Sequence, residues 1–300
     1  MRILKRGPKA ELGSIDLLEE ATHLLRRAPV QVWAAYYLCT LPFILGLLYF
    51  IADMSRGARA WDHLSAAAFG MVLLFVLMKV GQAIFCDLLL QALHDDPFTP
   101  IWSRLHRIFC AQLAFQPFGL FLLPVAALLT LPFGWCFALF QNFSVFGQGR
   151  EPLRREIAIA WQQAQTWPGQ NHLTIGLLLF VWLILLPVTA ATLYLLPHLL
   201  HILFGIDSIF VQSNQHLINT TFWTVVFLSV YLIIDPLVKA TYVLRSFFGA
   251  SLTSGADLRV DLRRIQVQLA DGEHGHHGKG LVDLEQIHIG QVPACAIKQF

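Results

Sequence analysis

The chain has 300 residues, of which 56% are hydrophobic and 13% are charged, and its net charge is +2. Because soluble domains carry about 25% charged residues, this composition excludes an ordinary water-soluble surface. The apolar residues also occur in long runs, and about 20 of them are enough for a helix to cross a ~30 Å hydrocarbon core. The sequence therefore predicts an all-α, polytopic membrane protein.

About six spans are predicted in chain order, at residues 30–52, 66–93, 111–130, 131–146, 173–196 and 220–248. Residues 1–13 are basic and are interpreted as a mobile arm. Residues 14–250 form the predicted membrane domain, and residues 251–300 form a predicted cytoplasmic tail. No charged residue separates the third span from the fourth, so this pair is expected to be a tight hairpin or a partly re-entrant element.

Amphipathic segments precede three of these spans, at residues 14–28, 99–109 and 151–166. Each has apolar side chains at helical spacing on one side and charged side chains on the other, a pattern typical of helices that lie on a membrane surface. An amphipathic helix, a Pro-containing span and a return span thus occur three times, at 14–93, 98–147 and 151–248. This order favours an internal repeat, although the prolines and polar breaks common in membrane proteins would produce the same order without a repeat.

Lys and Arg residues are distributed unevenly between the two predicted sides of the membrane. The N-terminal segment, the two links that contain amphipathic helices and the C-terminal tail hold nearly all of them, whereas the opposite side holds Arg56 and Arg59. The positive-inside rule then predicts that both termini and the three amphipathic helices are cytoplasmic. In a bacterial inner membrane these helices would contact anionic lipid headgroups.

Polar residues inside the predicted spans are the candidate site: Lys79, Gln82, Asp87, Asp235 and Lys239. A charge at the bilayer centre costs ~2.5–3.5 kcal/mol on insertion scales, so such residues are rarely without a role. Asp235 and Lys239 are four residues apart and can pair, but cross-pairs of Lys79 with Asp235 or of Asp87 with Lys239 are equally compatible. The set is either a pathway for an ion, a proton or a lipid headgroup, or a structural clamp.

Motifs of catalytic or cofactor sites are absent from the sequence, including HExxH, GxSxG, the phosphate loop and the dinucleotide fingerprint. We therefore expect a protein that is not an enzyme and binds no cofactor. His274, His276 and His277 resemble a metal-binding tract, but their Gly-rich segment does not preorganise ligands, and no metal is expected. The basic residues follow a membrane topology, so nucleic acid is not an expected partner.

The end of the last span has the form Tyr242-x-x-Arg245, followed by Gly255-x-Asp257-Leu258. With the six spans and the amphipathic helices, this ending resembles a loose group of bacterial polytopic membrane proteins that are similar to the membrane domain found beside glycerophosphodiester phosphodiesterases. The resemblance covers roughly residues 14–264 and does not include the catalytic domain. The function that we expect is that of a scaffold or accessory subunit of an envelope or lipid process, with a membrane-protein partner. The alternative is a transporter or channel-like protein that uses the intramembrane charges.

Overall fold

The computed structural model describes residues 13–57, 60–94, 101–129, 133–205, 220–255 and 262. Within these ranges the chain is helical and contains no strand. Short 3₁₀ turns at Ala60–His63 and Trp102–Arg104 precede two of the α-helices. The described α-helices are α1 (Ser14–Arg27), α2 (Val30–Arg56), α3 (Leu64–His94), α4 (Leu105–Phe115), α5 (Pro117–Leu129), α6 (Phe133–Phe146), α7 (Leu153–Gln165), α8 (Pro168–Phe204) and α9 (Thr220–Ser254).

Long apolar helices dominate the structure and confirm the all-α prediction. By length and composition, five helical stretches could cross a membrane, namely Val30–Arg56, Ala60–His94, Trp102–Leu129, Pro168–Phe204 and Thr220–Leu252. The sequence predicts a fourth span at residues 131–146, and the corresponding helix α6 is shorter, with 14 residues. At 1.5 Å per residue it is about 21 Å long, which is less than the ~30 Å hydrocarbon core.

The centre of the fold is formed by α3, α6 and α9, which we call the return helices because each follows another apolar helix in a hairpin. The return helices contact one another, and α2, α5 and α8 pack along α3, α6 and α9 respectively. Each short helix lies on the return helix of the preceding hairpin, so α4 contacts α3 and α7 contacts α6. In the same way, α1 contacts α9, so the first short helix lies on the last return helix.

Small side chains allow the short helices to approach the return helices closely. Ala160 and Ala164 of α7 are fully buried one turn apart and belong to a core cluster with Phe143 and Tyr242. On α1, buried Leu17, Ala21 and Leu24 occur at helical spacing. Alanine at such contacts permits short distances between helix axes, as in helix packing within membranes.

Large apolar side chains cover the outer surface of the bundle. Phe121 and Leu128 of α5 and Phe180 and Leu183 of α8 are all more than half exposed. In water such a surface would drive aggregation, whereas in a bilayer it contacts hydrocarbon. The exposed apolar surface therefore agrees with the composition in indicating an integral membrane protein.

Residues 1–257 form one compact unit, and residues 258–300 form a second. Residues 1–12 of the arm predicted at 1–13 lie outside the described residues, as does almost all of the second unit.

Candidate functional site

The candidate site is a set of polar side chains between the return helices, which we call the polar core: Lys79, Gln82 and Asp87 of α3, Gln141 and Ser144 of α6, and Asp235 and Lys239 of α9. All of them are buried except Lys79, which is partly exposed. The structure brings all five predicted candidates to this interior, but it divides their contacts among three groups.

Asp235 is held by neutral hydrogen-bond donors. The Tyr36 hydroxyl donates to Asp235 Oδ2 at 2.8 Å, and Gln82 Nε2 donates to the same oxygen at 2.9 Å. Gln82 Nε2 also donates to the Tyr231 hydroxyl at 2.8 Å, and Lys79 Nζ donates to Gln82 Oε1 at 3.1 Å. The Gln82 amide therefore links the Lys79 ammonium to the Asp235 carboxylate without a direct ion pair.

Lys239 contacts α6 and not a carboxylate. Its Nζ donates to Gln141 Oε1 at 2.7 Å and to Ser144 Oγ at 3.1 Å. These two acceptors are three residues apart and so share one face of α6, towards which the lysine extends. The pairing of Asp235 with Lys239 is not formed, and neither cross-pair joins α3 to α9. The polar side chains of α6 and the neutral donors around Asp235 satisfy these charges instead.

Asp87 is bound by two arginines. Arg150 Nη2 lies 2.6 Å from Asp87 Oδ1, and Arg104 Nη2 lies 3.1 Å from Asp87 Oδ2. Gln91 Nε2 donates to Asp87 Oδ2 at 2.9 Å. Both arginines belong to links between helices, so the carboxylate attaches the start of α4 and the end of the α6 hairpin to α3. Sequence reasoning counted these arginines only for topology and missed them as partners of Asp87.

The link that carries Arg150 has a defined backbone. Gly149 has φ +63°, and a Cβ there would lie 2.5 Å from the Cβ of Arg107, so both conformation and space require glycine. Glu156 Oε1 accepts hydrogen bonds from the backbone N–H of Arg150 at 3.0 Å and of Glu151 at 3.4 Å. Burial raises the pKa of Glu156 above its ordinary value, although these backbone hydrogen bonds oppose the shift.

Glutamines bridge further helices of the core. Gln148 Nε2 donates to the backbone oxygen of Ala83 at 2.8 Å and thereby joins the end of α6 to α3. Gln112 Nε2 donates to Gly147 O at 2.9 Å, which joins α4 to the same region. Hydrophobic patterning alone does not select these glutamines. Gln112 lies within an apolar helical stretch, where an amide is a recognisable signal for contact between helices, whereas Gln148 follows the end of α6.

The cytoplasmic end predicted for α9 contains the residues that carry the resemblance. The Tyr242 hydroxyl donates to Asn171 Oδ1 at 2.8 Å, and Asn171 Nδ2 donates to Gly134 O at 2.8 Å. The Arg245 guanidinium lies 5.9 Å from the centre of the Tyr242 ring and donates to the backbone oxygen of Thr166. Tyr242 and Arg245 are thus buried and attach α9 to the α7–α8 junction. Asp257 and Leu258 lie outside the described residues.

Among the described residues, no group of three or more His, Cys, Asp or Glu side chains could hold a metal ion. His274, His276 and His277 lie outside these residues.

Comparison with protein-family models, curated proteins and solved structures found no match to this chain. The chemistry of the buried polar residues is therefore the basis for any functional inference.

Proposed function

We propose that this chain is a non-enzymatic integral protein of a bacterial inner membrane that acts as a scaffold or accessory subunit in an envelope or lipid-related process. One observation carries the proposal: Asp87, Asp235 and Lys239 are each bound by side chains of other segments of the chain. Charges with such partners hold helices together, which is the structural clamp that intramembrane charge can provide.

Both termini are proposed to be cytoplasmic. The basic residues of α1 and of the links near α4 and α7 support this orientation, because cytoplasmic segments carry an excess of Lys and Arg. The proposal requires α6 to provide a sixth crossing. Its packing against α3 and α9, which are both long enough to span, supports such a crossing. On the cytoplasmic side, the short helices would contact anionic lipid headgroups. A scaffold also implies a membrane-protein partner.

The clamp is tested by neutralising Asp235 and Lys239 together, as Asp235→Asn and Lys239→Met. A matched control neutralises Glu151 and Arg155, which have the same four-residue spacing but form an exposed ion pair at 3.2 Å. For a clamp, the first double variant has a lower unfolding temperature in detergent and lower abundance in membranes, and the control does not. Wild-type stability in the first variant would contradict the clamp. Separately, a reporter fused after Phe300 should report a cytoplasmic location.

The second candidate is a transporter or channel-like protein. It is favoured by the hydrogen-bonded series of Lys79, Gln82, Asp235 and Tyr36, in which ammonium, carboxyl and hydroxyl groups with exchangeable protons are neighbours. Purified protein in liposomes that contain a pH-sensitive dye distinguishes the two. A proton flux that is lost in a folded Asp235→Asn variant would favour transport, whereas wild-type liposomes as tight as protein-free ones would favour the scaffold.

A further inference from the structure

Arg245 on α9 has hydrogen-bonding capacity that the described protein groups leave unused. The side chain is 3% exposed, and its Nη2 donates to the backbone oxygens of Thr166 and Trp167. Among the described residues, its Nε and Nη1 have no hydrogen-bond partner. Across the described part of the chain, no carboxylate pairs with this guanidinium, since the ion pairs there involve Arg104, Arg150, Arg155 and His23.

A buried cation in this state requires an opposite charge. Arginine stays protonated in proteins, and a buried charge is tolerated when it is paired and hydrogen-bonded. The Tyr242 ring at 5.9 Å provides a weak attraction for the cation but no acceptor for the two free nitrogens. Arg245 therefore differs from Asp87, Asp235 and Lys239, whose polar atoms meet protein partners.

A second donor lies beside Arg245, because Thr166 and Trp167 immediately precede α8. This helix has 37 residues, begins at Pro168 and has no side-chain cap at its N-terminus. The N–H of Gly169 belongs to the first turn, where backbone donors have no partner within the helix and the helix dipole favours an anion. A Cβ at Gly169 would find no atom within 4 Å, so a side chain at this position has space.

The backbone at this junction is also unusual. Trp167 has φ 49°, in the left-handed region. Among the described residues, it is the one residue other than glycine that has a positive φ. A bulky residue in this conformation is a genuine outlier, and such conformations cluster at ligand sites. At this point the chain passes from α7 into α8. The backbone oxygens of Thr166 and Trp167, just before the first turn of α8, both accept hydrogen bonds from Arg245.

We propose that Arg245 and the first turn of α8 bind a phosphate group. A guanidinium with free donors and a helix N-terminus are both phosphate ligands in proteins, and here Arg245 contacts the two residues that immediately precede the helix. The phosphate belongs to a phospholipid headgroup or to a free phosphate or soluble phosphate ester. The lipid source rests on the proposed membrane topology, because Arg245 is then at the level of the cytoplasmic headgroups, whereas phosphate binding itself does not depend on that topology.

Delipidated protein in dodecyl maltoside, a detergent without phosphate, provides the test. Thermal unfolding is followed while phosphatidylglycerol is added, and in a separate series while inorganic phosphate is added. Wild-type protein should gain stability with one of the two probes, and Arg245→Gln should bind that probe about ten- to a hundredfold more weakly, because charged hydrogen bonds are lost. Arg154→Gln is the control, since it removes the same charge from an exposed position on α7, and it should respond as the wild type does.

A further variant covers the case in which Arg245→Gln does not fold. Gly169→Asp keeps Arg245 and adds a carboxylate where a side chain has space. It should raise the unfolding temperature without ligand and abolish the response to the probe.

A response to phosphatidylglycerol alone identifies a lipid headgroup, and a response to inorganic phosphate identifies a soluble source. Equal responses in the wild type, Arg245→Gln and Gly169→Asp would show attraction to the whole basic surface and would overturn the site. A wild-type protein that responds to neither probe would overturn it as well. A periplasmic C-terminal reporter would contradict the topology but would leave the result with inorganic phosphate intact.

Discussion

The two arginines on Asp87 allow distance and burial to be compared as determinants of ion-pair strength. Arg150 is closer, at 2.6 Å against 3.1 Å for Arg104, but its side chain is 52% exposed whereas that of Arg104 is 13% exposed. At an effective dielectric constant of ~20 the attraction at the Arg104 distance is about 5 kcal/mol, and at ~80 the attraction at the Arg150 distance is about 1.6 kcal/mol. Burial should therefore outweigh the shorter distance.

The measurable quantity is the coupling energy from double-mutant cycles. After desolvation and side-chain entropy are subtracted, we expect about 2–3 kcal/mol for Asp87 with Arg104 and less than about 1 kcal/mol for Asp87 with Arg150. The cycles use Asp87→Asn, Arg104→Met and Arg150→Met, with the free energy of unfolding measured in detergent at low and high salt. Salt should weaken only the Arg150 coupling.

The exposed pair of Glu151 and Arg155 serves as the reference, with an expected coupling of about 0.3–0.5 kcal/mol. A coupling for Arg150 that equals or exceeds that for Arg104 would refute the reasoning, because distance would then dominate. A coupling for Arg104 that falls with salt as steeply as the reference would also refute it.

Three other substitutions probe the remaining contacts. Tyr36→Phe removes the buried hydrogen bond to Asp235 and should lower the free energy of unfolding by about 1–3 kcal/mol; an unchanged value in denaturant titration would contradict the bond. Lys239→Met leaves Gln141 Oε1 without its donor, so adding Gln141→Leu should restore stability, and a further loss would contradict this pairing. The pKa of Glu156 is raised in the folded state. Between the ordinary and the raised pKa, the folded state therefore binds more protons than the unfolded state. The free energy of unfolding should thus fall as pH rises through this window. Glu156→Gln should flatten that part of the stability curve, and an unchanged slope would exclude Glu156 as its source.

Hydrophobic patterning was sufficient to predict the helices and to find the polar residues that lie inside the bundle. It was not sufficient to predict their partners, because partners depend on how each helix is rotated about its axis. Lys239 illustrates the difficulty: its acceptors Gln141 and Ser144 lie on α6, a helix without charged residues. Spacing along one helix pointed to Asp235 instead, because four residues always bring side chains to one face.

The partners of Asp87 show a second limit. Arg104 and Arg150 lie in links between helices, where positive charge is expected from topology alone. An arginine in such a link can therefore be a topology signal or the partner of an intramembrane carboxylate. Only the packing of the links onto α3 distinguishes the two. Charged residues in short links of a membrane protein should therefore be considered both as topology signals and as partners for nearby intramembrane charges.

Helices in a bilayer gain little from hydrophobic association, because lipid chains are as apolar as leucine. Polar contacts then help to fix which helices meet, and in this bundle they connect the return helices and the link after α6. Gln148, two residues after the end of α6, contacts α3; Gln82 joins α3 to α9, and Lys239 joins α9 to α6. The intramembrane charges thus lie where three helices meet, which is where a clamp is needed. Charge at membrane depth is therefore not evidence for transport in this fold unless its neutralisation changes flux while the bundle remains assembled.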